Sequence, residues 1–165
     1  MSIVVPNSAE EEILYVAKNW ASPSLSAMNP NVFTNYPIVT VASLSESTLQ
    51  QNLLCIDVAG TNPLCRQMCL PVTCDRDGYS YLGERVNGDY LVFQCADNPY
   101  HPEHSVTVIS TNNISFLKKN FFTRKLILPS YIGGVHPYLN REILIWDGRR
   151  FWGTYLSGGA LEEVL

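Results

Sequence analysis

Cys65, Cys69 and Cys74 stand close together in the chain, and His101 and His104 follow about thirty residues later. Thiolates and imidazoles are the soft ligands that hold zinc. The set expected to bind a metal, if one binds, is Cys65, Cys69, Cys74 and one of the two histidines. The spacing is poor for that purpose. Cys-x3-Cys-x4-Cys lacks the Cys-x2-Cys knuckle, and Pro102 splits the histidines within a loop. Plain thiols are the preferred reading, and no cofactor is expected. A Cys–His nucleophile pair would use Cys65 or Cys74 with His101, His104 or His136. Five cysteines and three histidines always allow some pairing to be drawn, so that signal carries little.

Other chemistry is sparse. Asp75, Asp77 and Gly78 match part of a calcium loop, but the rest of an EF-hand is missing. Asx turns ahead of a strand account for both aspartates more simply. The chain has no phosphate-binding Gly-rich loop, no His-Glu-x-x-His and no Gly-x-Ser-x-Gly. A non-enzymatic protein is expected. Lys118, Lys119, Arg124 and Lys125 interleave with Phe116, Phe121 and Phe122, as a nucleic-acid patch would. A net charge of −4 makes a charged outer face the better reading, and nucleic acid is not the expected partner.

The elements that must position these residues read mainly as β. Ile3 to Val5 form a short β-branched run ended by Pro6, which lacks an N–H. Ser8 with Glu11 fits a capping box, and Ile13, Val16, Ala17 and Trp20 make one apolar helical stripe. Residues 21–37 carry three prolines and read as a linker. Ile38 to Ala42 and Leu53 to Val58 are strand-like, with a possible helical turn between them. Gly60 to Gly78 reads as a long irregular loop. Asn87-Gly88 is expected to turn a hairpin joining Tyr79–Val86 to Asp89–Cys95, with a bulge at Gly83. Asp147-Gly148 is expected to join Glu142–Trp146 to Arg149–Leu156. Ser105–Ser110 is a further strand. Ile114 to Leu128 supplies one or two more, with Phe116 to Phe121 open to a helical reading. Together these predict a β-sandwich or barrel-like body with a short N-terminal helix and an extended arm. The expected division is an arm and linker over 1–37, a β body over 38–156 and a flexible tail over 157–165.

Composition points to assembly. Charged residues make up 16% of the chain, below the usual share of about 25%. With nine tyrosines and three tryptophans, such a surface suits burial against partners. The N-terminus lacks a signal-peptide pattern, and no apolar run is long enough to span a bilayer, so no membrane partner is expected. Five cysteines, an odd number, fit reduced thiols in a cytoplasm.

The opening Ile3, Val4, Val5, Pro6, Asn7, followed by Glu10, Glu11, Ile13 and Leu14, resembles that of small virion structural proteins of tailed bacteriophages. The match covers about twenty residues. It implies a virion component made in the host cytoplasm, most simply a capsid decoration (cement) protein. A tail, baseplate or fibre component is the alternative within that class. A small zinc-binding or catalytic β domain is an alternative outside it, and a host-directed viral interaction protein is a third. The expected partners are the major capsid protein or other virion proteins, and further copies of the chain. The expected arm interface is Ile3, Val4, Val5, Pro6, Ile13, Val16 and Trp20, with Ile3–Val5 adding a strand to a neighbour. Tyr36, Tyr131, Tyr138 and Trp152 are candidate anchors on the body.

Overall fold

The computed structural model describes residues 1–21, 36–121, 143–147, 149–154 and 160–163, with backbone alone at 19–21 and 119–121. The side chains of Trp20 and Lys119, together with Arg124, Lys125, Tyr131, His136, Tyr138, the linker over 22–35 and the Gly-rich tail joint, lie outside what is described. The elements in chain order are β1 (Ser2–Val5), α1 (Glu11–Ala21), β2 (Ile38–Thr40), α2 (Glu46–Leu49), β3 (Leu53–Val58) and α3 (Pro63–Arg66). Then come β4 (Val72–Cys74), β5 (Gly78–Tyr81), β6 (Glu84–Asn87), β7 (Leu91–Asp97) and β8 (Ser105–Thr111). The described chain closes with α4 (Ile114–Phe121), β9 (Ile143–Trp146), β10 (Phe151–Thr154) and β11 (Glu162–Glu163).

The fold is mainly β, as the sequence predicts. Eight strands form one sheet in the order β11-β10-β9-β7-β8-β3-β1-β2, and β4-β5-β6 form a second. The large sheet is mixed. β2, β1, β3 and β8 run parallel, whereas β7, β9, β10 and β11 join antiparallel. The parallel half is not foreshadowed by the hairpin signals. Parallel neighbours need a crossover, and α1 lies in the chain between β1 and β2.

One face of the sheet carries Ile3, Val5, Leu54, Ile56, Phe93, Ile109, Leu144 and Trp146, packed with Ile13, Val16 and Ala17 of α1 and Leu117 of α4. The opposite face has two parts. Val4, Leu53, Cys55, Val106 and Val108 meet Leu64 and Cys65 of α3. Val92, Ile143 and Ile145 meet Val72, Tyr79 and Tyr81 of the small sheet. The small sheet therefore gives the sandwich-like end of the molecule.

The segment expected to reach out as an arm instead builds the sheet. β1 lies between β2 and β3, and Ile3, Val4 and Val5 have no exposed surface. A strand covered on both faces needs an unbroken apolar run rather than alternation, and Ile-Val-Val supplies it. Each such side chain contributes about 1.5–3 kcal/mol by leaving water. Pro6 is buried at the end of the strand. Asn7 Oδ1 accepts the Ala42 N–H at 2.7 Å and ties the turn after β1 to the chain just beyond β2.

The first expected hairpin is also displaced. β5 pairs with β6, and the turn is Leu82-Gly83, both at positive φ (48° and 83°). Gly83 therefore turns the chain rather than bulging a strand. Asn87-Gly88 instead passes the chain from the small sheet to β7, with Gly88 at φ 129°. The second hairpin joins the expected runs but with a wider connection: Phe151, not Arg149, faces Trp146, so 147–150 separate the strands, and Asp147 Oδ1 accepts the Arg149 and Arg150 N–H groups at 2.8 Å. The loop over 60–78 contains α3 and β4. The described part of Ile114–Leu128 is the helix α4, and Lys118 on it lies 3.6 Å from Glu12 and 5.1 Å from the Tyr15 ring centre.

Candidate functional site

A cavity of about 270 Å³ opens at the carboxyl ends of the parallel strands β3 and β8. Crevices at that end of parallel strands are where such sheets place ligands. Asp57 of β3, Ser110 of β8, Gly60, Cys65, Arg66, Cys69 and Cys74 are among its lining. The fold thus gathers the three clustered cysteines around one space.

Local sequence explains the geometry. After β3 the chain turns at Ala59 and Gly60, both at positive φ (53° and 70°). Ala59 donates to the Thr111 carbonyl at 2.7 Å, and Thr61 donates back to Val58 at 3.0 Å. Asn62 then starts α3, with Pro63 in the first turn where its missing N–H costs nothing. Asn62 is wholly buried. Its Oδ1 accepts the Leu64 N–H at 3.0 Å, and its Nδ2 donates to the Ile56 carbonyl at 3.0 Å. Its own N–H donates to Asp57 Oδ1 at 2.8 Å. Arg66 Nε donates to the Gly60 carbonyl and closes the loop.

Three of the cavity's ionisable groups are shifted toward their neutral forms. Burial pushes the Asp57 carboxyl up, only partly offset by backbone N–H groups and the Arg66 charge. The Cys65 thiol is pushed up by its hydrogen bond with Cys55 and by burial. Burial pushes Cys74 up to about 12, against hydrogen bonds from Ser110 and Tyr90. With no cation beside them, thiols so raised stay protonated at neutral pH and are poor nucleophiles. Cys65 is buried and Cys74 partly buried where they line the cavity.

His101 and His104 lie elsewhere. They sit in the loop before β8, at the amino end of that strand, whereas Ser110 brings its carboxyl end to the cavity. Among the described residues, the ligand atoms that converge are those of His101, Glu103 and His104, all within 4.8 Å of one another. His101 Nδ1 is 2.9 Å from Glu103 Oε1. That hydrogen bond, with the His101 charge, holds the Glu103 carboxyl below its ordinary range.

The remaining candidate residues are dispersed. Ile3, Val4, Val5, Ile13 and Val16 belong to the core. Tyr36 is partly buried against the helical face, and Trp152 is partly buried beside the small sheet, its Nε1 3.3 Å from Asp147 Oδ2. Asp57, Asn62 and Ser110 escaped the sequence reading. Their signal was present in part: Asp57 ends a strand-like run, and Asn62-Pro63 is a cap followed by a first-turn proline. Glu103, between the two histidines, is not among the residues the sequence motifs point to.

Against known proteins, the chain matches no family model, and no curated protein matches it. Among the described residues, no helix is long and apolar enough to cross a membrane.

Proposed function

We propose that this chain is a non-enzymatic structural protein of a bacteriophage virion, a capsid decoration protein that binds the major capsid protein and further copies of itself. The observation that carries this reading is the outer edge of the small sheet. β6 has no strand on its outer side among the described residues, and all four of its residues are exposed. Leu82 at the turn is 68% exposed and Val86 on the strand 43%. An edge strand with open N–H and C=O groups and apolar side chains favours pairing with another chain. The low charge content and the phage-like opening support the same reading. The contact in this proposal is the body's edge, since β1 is committed to the chain's own sheet.

The test is mass spectrometry of purified particles of the phage that encodes the chain, with heads and tails separated. Many copies per head are expected. Recovery only in tails would favour a tail component. Absence from both fractions would refute a virion role.

A further inference from the structure

We propose that His101, Glu103 and His104 form a zinc site with three protein ligands, independent of the cysteines and of the assembly role. Three donors from almost adjacent residues converge without any long-range rearrangement. A tetrahedral zinc with bonds of about 2.0–2.2 Å places its ligands about 3.4 Å apart. Ligand atoms already within 4.8 Å need only small side-chain rotations to reach that spacing. Two imidazoles and one carboxylate are a donor set that zinc takes when its fourth position is left to water.

The loop that presents them is braced on several sides. Asn98 N–H donates to the His104 carbonyl at 2.9 Å, His101 N–H to Asn98 at 3.1 Å, and His104 N–H to His101 at 2.9 Å. Asn98, wholly buried, donates through Nδ2 to the carbonyls of Leu49 at 2.7 Å and Gln51 at 3.1 Å. Its Oδ1 accepts the Tyr100 N–H at 3.0 Å. Ser105 N–H donates to Asn52 Oδ1 at 2.9 Å just beyond the loop. Pro102 removes one more backbone freedom. A loop backbone held this way gives up little freedom when the ion arrives. The histidine rings, their centres 6.0 Å apart, are partly exposed, so an ion can enter from solvent.

The test is titration of the full-length, reduced protein with Zn²⁺ by calorimetry, and with Co²⁺ by absorption. One Zn²⁺ per chain is expected, with a cobalt spectrum free of thiolate charge-transfer bands. His101→Ala and His104→Ala should each weaken binding roughly tenfold or more. Cys69→Ser and Cys74→Ser should leave it unchanged. Circular dichroism identifies any variant that fails to fold, and the other histidine variant then decides. No binding to the parent, or binding that survives loss of the histidines but not of the thiols, would overturn the site.

Discussion

Asn62 braces the turn between β3 and α3 with three hydrogen bonds. Replacing it with Ala removes the side-chain partners of the buried Leu64 N–H and the Ile56 carbonyl. A loss of about 2–4 kcal/mol in urea-unfolding free energy is expected. Asp57 gives a pH signature. Its pKa is raised in the fold by burial, so above the ordinary carboxylate value of about 3.9 the folded chain holds a proton the unfolded chain has lost. Its contribution is complete below that value and is lost as pH rises through the folded pKa. The stability of Asp57→Asn relative to the parent should therefore improve as pH rises across that window; a constant difference would mean that Asp57 is not the titrating group. Individual residues were legible where chemistry is local. The Asx turn expected at Asp75 is present, with Oδ1 accepting Asp77 N–H at 2.8 Å and Gly78 N–H at 3.2 Å. Burial of Cys65 against Cys55 is a tertiary fact, and no spacing rule reaches it.

Elements were legible in type more than in partnership. The β-branched runs became strands, but which strand each one meets depends on contacts far along the chain. Asn87-Gly88 carried the stronger turn signal, yet Leu82-Gly83 turns the hairpin, because the β5–β6 register places Gly78 opposite Asn87. That register needs a glycine. A Cβ at Gly78 would overlap the Val86 carbonyl. Gly78→Ala should part β5 from β6 and cost about 3 kcal/mol, seen as early proteolysis within 78–88. The small sheet is fastened to the large one by Gln94, whose Oε1 accepts the Val72 N–H at 3.0 Å while its Nε2 donates to the Val72 carbonyl at 2.9 Å. Gln94→Ala should loosen that junction by about 1–3 kcal/mol in chemical unfolding. A polar residue within the apolar run of β7 gave no hint of this bridging role.

At the scale of the molecule, the mainly β class was readable from composition and turn signals, whereas the parallel half was not. β1 looked like a separable arm because an apolar run followed by a proline and a linker reads alike whether it docks at home or on a neighbour. Two variants distinguish the surfaces. Leu82→Asp combined with Val86→Lys should leave unfolding within about 0.5 kcal/mol of the parent while reducing self-association in light scattering. Val4→Asp should abolish cooperative unfolding, since Val4 is wholly buried in β1. The position of β1 also governs when the chain can fold. Its partner in β3, and the partner of β3 in β8, each lie about fifty residues further along the sequence. A ribosome therefore releases the first strand long before anything exists to flank it on both sides. Pairings so distant fold slowly, so the first strand should stay an open apolar ribbon until β2 and β3 have followed it out, and β3 should gain its own outer neighbour only when β8 emerges.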